Sequence, residues 1–274
     1  MTTLTLAELA GQSLGESTVG YRDTDTMLYA IAVGAAPDDL DLVYELDLRA
    51  LPTMACGFGL WAVEATGRLG AYDPHRSLHA AQRLVVHQPL PTAGEIVMSG
   101  RVEAAWDKGE GKASVVEIEV TSDYFTAGYS IFLPGTGGWG GERGPSSPRG
   151  EAPAYSSSGE VETTASQAVL YRLTGDRHPI HVDPEVARAN GFDRPILHGL
   201  CTLGAAARET AVLSGAHPAD LTSLEARLAA PVLPGDTVRV EATEADSARK
   251  VSFGAFVEDR AVISAGTATF GAVK

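Results

Sequence analysis

Residues 171–204 read YRLTGDRHPIHVDPEVARANGFDRPILHGLCTLG. They follow a short apolar run of helical spacing, TASQAVLYRLTGD (164–176), with Thr164 or Ser166 placed to cap its start and Gly175 to stop it. Pro179 argues that the chain then turns. Asp176 and His181 stand five residues apart, a poor spacing for one helix face, so they meet only if such a turn brings them together. A carboxylate beside an imidazole suits proton transfer near neutral pH, because the pair can hold a water, polarise it and handle the proton that moves. On spacing alone, a plain helix-end hydrogen bond between the two is the better reading.

The rest of the segment is read the same way. His198 and Gly199 precede Leu200, Leu203 and the alanines at 205–207, which together read as a second helix. Its first backbone N–H groups, with Gly199 at the tip, can stabilise an oxyanion or a phosphate, or simply begin a core helix; the core helix is the default. Asp183-Pro184 reads as an N-cap followed by proline at the first helical position. His178, His181, Asp183 and His198 are all able to ligate a metal, yet His-Pro-Ile-His lacks the spacing of a zinc-binding helix and there is no His-Glu-x-x-His. No metal is expected.

Outside this segment the chain divides in two. Residues 134–159, PGTGGWGGERGPSSPRGEAPAYSSSG, are rich in Gly, Pro and Ser and read as a linker between a first half, 1–133, and a second, 160–274. The halves echo each other. TDTMLYAIAVGA (24–35) has the helical spacing of 164–176, with Thr24 or Asp25 as the cap and Gly34 as the stop. Each half then has a Leu-Pro turn, at Leu90-Pro91 and Leu233-Pro234. Alternating strand-like runs follow: EIVMSGRVEAAW and KASVVEIEVTSD in the first half, DTVRVEATEAD, KVSFGAFVED and AVISAGTATF in the second. The pattern predicts an α+β unit, a sheet packed on a helix, occurring twice.

The composition narrows the function. With 274 residues, 44% of them hydrophobic, the chain can bury a large core, and no apolar run reaches the ~18 residues of a membrane span. The N-terminal stretch lacks the pattern of a signal peptide, which predicts a cytoplasmic protein. Cys56 and Cys201, the only cysteines, read as two buried thiols. A net charge of −14 argues against a nucleic-acid partner. An anionic ligand would need a local basic patch, for which Arg172, Arg177, Arg188 and Arg194 are candidates.

The pieces Tyr171-Arg172-Leu173, Gly175-Asp176, Pro179-Ile180-His181, Asp183-Pro184, Gly191-Phe192 and Pro195-Ile196-Leu197-His198-Gly199-Leu200 resemble, in order, the hydratase 2 signature of the MaoC-like (R)-specific enoyl-CoA hydratases. The likeness is strongest to the hydratase domain of peroxisomal multifunctional enzymes. The first half resembles that family's N-terminal domain through TDTMLYAIAVGA, Leu78-His79 with Gln82, and GTGGWGG. The resemblance implies a double hot dog fold, two antiparallel sheets each wrapping a central helix, in a chain that forms a homodimer. It implies that Asp176 and His181 are the catalytic pair, that the Gly199 amide is the oxyanion donor, and that His178, His198, Arg177 and Arg194 meet the acyl-CoA thioester. It further implies (R)-hydration of a trans-2-enoyl-CoA, fatty-acyl or sterol, without a cofactor. In the first half Ala35 follows Gly34 where the second has Gly175-Asp176, so one site per chain is expected, with the first half accommodating the acyl tail. Two positions depart from the family pattern: His178 stands where Asn is usual, and Ile180 where Leu is common. Dehydration of (3R)-hydroxyacyl thioesters in fatty-acid synthesis, a silent thioester-binding subunit and a hot dog thioesterase are the alternatives.

Overall fold

Period-two alternation builds most of the molecule. The computed structural model describes residues 3–145 and 153–271. In the first half lie β1 (Ser13–Tyr21), β2 (Leu78–Val86), β3 (Gly94–Asp107), β4 (Ser114–Thr121) and β5 (Phe125–Leu133). Every second residue of β5, from Phe125 to Leu133, is buried, and Val116, Ile118 and Val120 of β4 face Ile131, Tyr129 and Ala127 on that same inner side. The second half holds β6 (Ser157–Glu162), β7 (Leu221–Leu228), β8 (Thr237–Ala242), β9 (Lys250–Val257) and β10 (Arg260–Phe270). The runs anticipated from alternation are β3, β4, β8, β9 and β10.

The expectation of two separate sheets needs correction. Strand order is β1-β3-β4-β5-β2-β7-β10-β9-β8-β6, one ten-stranded sheet whose described neighbours all pair antiparallel. The halves join where β2 meets β7, from Ala81 opposite Arg227 to Val85 opposite Ser223. Unpaired backbone groups along a strand edge are a liability, and here each half covers the other's edge.

The helices are α1 (Asp23–Ala32), α2 (Leu40–Val43), α3 (Met54–Phe58), α4 (Leu60–Arg68), α5 (Gln167–Tyr171), α6 (Pro184–Ala189) and α7 (Gly199–Leu213). α7 is buried almost all round over residues 200–207 and packs on β6 to β10, as a helix apolar on every face must. Among its described residues the first half has no equivalent unbroken helix, which corrects the expected central helix there. α3 and α4 meet at Gly59, where a Cβ would collide with the Tyr129 hydroxyl, and that hydroxyl donates to the Cys56 carbonyl at 2.8 Å. α1 begins two to three residues earlier than the suggested caps, with Arg22 as the N-cap, and Asp25 accepts from the Arg22 N–H at 2.9 Å.

Helix α1 belongs to the first half but is finished by the second. Its orphan C-terminal carbonyls need donors. Gln167 Nε2 donates to Ala32 O at 2.6 Å, Cys201 Sγ to the same oxygen at 3.3 Å, and Arg208 Nε to Val33 O at 3.3 Å. Gly204 makes the approach possible, since a Cβ there would lie 2.7 Å from the Tyr29 hydroxyl and 2.8 Å from Val33.

The glycine-rich segment has no regular structure over 134–145, yet it is tied to the first half. The Asp107 carboxylate accepts from the N–H groups of Gly109, Gly138 and Gly140 at 2.7–2.8 Å, and Trp139 Nε1 donates to Ser114 at 2.9 Å. Residues 146–152 of the expected linker lie outside the described residues, and 157–159 are already strand β6. The linker is therefore shorter than composition suggested. Cys56 and Cys201 are buried and free, and burial pushes the Cys56 thiol up to about 12 and the Cys201 thiol still higher.

Two measurements check this arrangement. Asp107→Ala should release the strap, seen as new limited-proteolysis cuts within 134–145 and a lower melting temperature. Neither thiol should react with an aromatic disulfide reagent in the native protein, and both should react in denaturant.

Candidate active site

Gly175 sets the site's geometry. It ends the 3₁₀ turn Arg172–Thr174 at a φ of 129°, a conformation closed to ordinary L-residues. The chain reverses, and Asp176 Oδ1 accepts from the His178 N–H at 3.3 Å. Pro179 then opens a second 3₁₀ turn, Pro179–His181, capped by His178 Nδ1 accepting from the Ile180 N–H at 3.3 Å. Two tight turns thus bring together side chains five positions apart.

His181 is fixed from the other side. Its Nδ1 lies 2.8 Å from the Ile196 carbonyl, which can only accept, so Nδ1 carries the proton and Nε2 the lone pair. Burial lowers the pKa of His181 from its ordinary 6.5; the Ile196 carbonyl and Asp176 oppose that shift and His178 adds to it. The ring is therefore neutral at neutral pH, ready to accept a proton.

Donor atoms of Asp176, His181 and His198 lie within 4.8 Å of one another. Three such groups raise the question of a metal. The rings of His181 and His198 are stacked, 3.7 Å apart at 25°. Imidazole lone pairs lie in the ring plane, so those of stacked rings lie in two nearly parallel planes and do not converge on one ion. The donor set fits proton handling better than chelation.

The other sequence candidates separate by exposure. His198 was expected to meet the substrate, but it is fully buried, its ring lying 4.8 Å from Tyr171, and cannot touch a ligand. His178, Arg177 and Arg194 are exposed, with the His178 ring 6.1 Å from His181. Arg172, Arg177, Arg188 and Arg194 make no ion pair among the described residues, whereas Arg22, Arg49, Arg68, Arg83, Arg101, Arg208 and Arg239 do. Asp183 caps α6, accepting from the Glu185 N–H at 2.8 Å, as the Asp-Pro pattern predicts. Gly199 opens α7, and its N–H finds no acceptor among the described residues. A Cβ there would meet Leu228 Cδ1 at 2.8 Å, so the glycine lets the helix tip sit under β7.

One residue at the site was not assigned a role from sequence. The β2–β5 register slips between His79 and Ala81, turning His79 to pair with Ile131 on the buried side. Its ring lies 5.7 Å from Tyr129, and Nε2 donates to Ala81 O at 3.1 Å. Burial takes its pKa to about 4, against the opposing pull of Asp176 across the boundary between the halves. The sequence signal was the polar Gln82 on the core side of β2, in step with Leu84 and Val86.

The comparisons to known proteins supply the family. Residues 150–264 match the MaoC like domain, and residues 20–134 match the MFE-2 hydratase 2 N-terminal domain. The 3-hydroxyacyl-thioester dehydratase Y of Mycobacterium tuberculosis is 38% identical over 240 residues, covering 80% of each chain. The chain belongs to the MaoC-like hydratase family. Enoyl-CoA hydratase ChsH3 of Mycobacterium tuberculosis is 36% identical over 277 residues, 93% of this chain and 95% of that one. Among solved structures, a MaoC-like dehydratase from Phytophthora capsici superposes with a TM-score of 0.85 at 25% identity, covering 98% of each chain. Like its MaoC-like relatives, the chain is an α+β protein of hot dog type, here with one large antiparallel sheet.

Gly175→Ala tests the turn. A Cβ there meets nothing within 4 Å, so only backbone strain is introduced. That strain, about 1–3 kcal/mol, should displace Asp176 and lower turnover of an enoyl-CoA at least ~10-fold while the melting temperature falls only slightly.

Proposed function

We propose that this MaoC-like protein is an (R)-specific enoyl-CoA hydratase, adding water to a trans-2-enoyl-CoA to give the (3R)-3-hydroxyacyl-CoA. The observation that carries this reading is that donor atoms of Asp176 and of a His181 whose Nε2 lone pair is free lie within 4.8 Å of one another, on the segment that leads into the free N–H at the tip of α7. Both side chains are acceptors, and a water has two hydrogens to give. One proton leaves the water for the pair as the oxygen bonds to C3. The C2–C3 π electrons move toward the thioester carbonyl, whose oxygen takes up charge against the Gly199 N–H. The pair then returns a proton to C2, so one water is consumed and the two residues regain their starting state. The reverse path is dehydration at the same groups.

Other features support the finer points of this reading. We place the acyl tail in the cleft of about 170 Å³ between the halves, where Ile31, Val33, Leu197, Cys201, Ala205 and Val238 supply apolar lining. Leu197, next to His198 in the chain, links the cleft to the catalytic segment. Exposed Arg177, Arg194 and His178 are suited to the CoA head group. The Gly34-Ala35 end of the first half has no carboxylate in the position of Asp176, consistent with one site per chain. We read the ten-stranded sheet as two hot dog units, 1–133 and 160–274, fused edge to edge, and expect the chain to form a homodimer in the cytoplasm. No helix among the described residues is long and apolar enough to cross a membrane.

Incubation with crotonyl-CoA and with a longer trans-2-enoyl-CoA should bleach the conjugated enoyl absorbance and yield the (R)-alcohol by chiral analysis. Asp176→Asn should lower kcat by about 10²–10⁴-fold. Release of free CoA would make the protein a thioesterase, and no conversion of either substrate by the wild type would point to a bulkier natural acyl group, such as a sterol side chain, or to a silent binding subunit. The pH dependence has a defined sign. His181 must be neutral to accept a proton, and its pKa is lowered, so kcat/KM should hold through neutral pH and fall only on the acid side, with a midpoint below 6.5.

A further inference from the structure

His198 touches every part of the site, although it is out of reach of any substrate. Its Nε2 donates to the carbonyl of Asp176 at 3.1 Å, its ring stacks on His181 at 3.7 Å, and its peptide leads directly into Gly199. Its own carbonyl accepts from the Thr202 N–H at 3.1 Å and the Thr202 hydroxyl at 3.3 Å, closing the first turn of α7.

This arrangement strands an atom. Because Nε2 donates to a carbonyl, Nδ1 holds the lone pair, and Nδ1 is buried with no donor facing it. A buried, unsatisfied acceptor is destabilising, and a phenyl ring would fill the same space without one. The imidazole therefore needs a reason other than packing. A planar ring with a single N–H on its edge meets both demands of this position: a flat face for His181 and a donor for the turn that carries Asp176.

We infer that His198 is a positioning residue for both catalytic side chains: its N–H holds the Asp176 turn, and its face holds the plane of the His181 ring so that Nε2 is aimed at the water. The inference rests on the hydratase reading. His181 is then pinned at two points, the Ile196 carbonyl in its plane and His198 over its face. Facing His198 are His181, Asp176, Arg172 and Tyr171. Burial and the cationic forms of His181 and Arg172 oppose its protonation while Asp176 favours it, and its pKa falls to about 4. A neutral ring does not repel His181 when that residue carries the transferred proton.

The test combines a wild-type spectrum with two variants. In ¹⁵N-histidine-labelled protein, His79 and His198 should both be held as the Nε2–H tautomer and stay neutral from about pH 5 to pH 8, where an ordinary histidine titrates, and the resonance that disappears in His198→Phe is that of His198. His198→Phe keeps a ring and loses the donor; His198→Gln keeps a donor and loses the ring. Each should lower kcat by about 10- to 100-fold with KM nearly unchanged. Only the Gln variant should also move the acid limb of the pH–rate profile, because only it uncovers the His181 ring. Wild-type kcat in both variants, or a His198 that gains charge near pH 6.5, would overturn the inference. So would activity losses that merely track the fraction unfolded by circular dichroism. The spectrum needs no substrate, so a wild type that hydrated no enoyl-CoA would sink the hydratase reading while the tautomer and titration of His198 were still decided.

Discussion

The ladder between β2 and β7 is the constraint on which the rest of the structure depends. Five residue pairs, from Ala81–Arg227 to Val85–Ser223, turn two half-sheets into one. Their inner side is apolar at Leu84 and Leu224 and small at Ala226, so the cores of the two halves are continuous across the seam. Once the seam is set, α1 lies where α5 and α7 can satisfy its last carbonyls. The ladder also decides which residues of one half reach the other. Beyond Ala81 it carries His79 of the first half to where the charge of Asp176 in the second acts on it.

An antiparallel ladder has two ends, and the two ends of this one have diverged. At one end a glycine turn presents Asp176, and an unbroken helix presents the Gly199 N–H. At the other, Ala35 follows the glycine, and the first-half helix is interrupted at Gly59 because Tyr129 diverts the Cys56 carbonyl. The polar groups at that end bind each other: Arg49 donates to Asp220 at 2.5 Å and to His217 at 2.9 Å, while His217 contacts Asp41 at 3.0 Å. The His217 Nδ1 accepts from both Arg49 and the Ala219 N–H, so its remaining proton sits on Nε2, facing Asp41. Residues from both halves take part. The second end works as a clasp between halves.

What the sequence made legible follows from the range of the interactions. Strands β3, β4 and β8 alternate over most of their length and β9 and β10 over part of theirs, and the Gly175, Pro179 and Asp183-Pro184 signals are local, so these strands, the turns and the α6 cap could be read directly. β2 and β7 could not, since a register slip breaks the alternation of one and two half-buried residues in a row, Thr222 and Ser223, break the phase of the other. The broken helix α3–α4 depends on Tyr129, some seventy residues away in the chain. Position 134–145 looked loose because composition cannot show a carboxylate such as Asp107 gathering glycine amides. His198 was misplaced for a related reason. A histidine at a helix start reads as available to ligand, and only the packing of Tyr171, His181 and Asp176 around it takes it out of reach.

The chain's charge then ceases to be a difficulty for an anionic substrate. The net charge of −14 is not spread evenly. Residues 171–204 contain Arg172, Arg177, Arg188 and Arg194 against Asp176, Asp183, Glu185 and Asp193, four of each, so the segment is neutral and the whole excess lies elsewhere. Exposed charges beyond about 8 Å are largely screened at physiological ionic strength, so the local balance governs what approaches the site. Within that balance the partners are unequal. Asp183 is engaged in capping α6, while the four arginines make no ion pair among the described residues. A guanidinium without a carboxylate retains its full capacity for a phosphate. The segment that builds the proton-handling turn therefore also holds the free cations that an acyl-CoA head group would need, in a protein whose overall field would otherwise repel it.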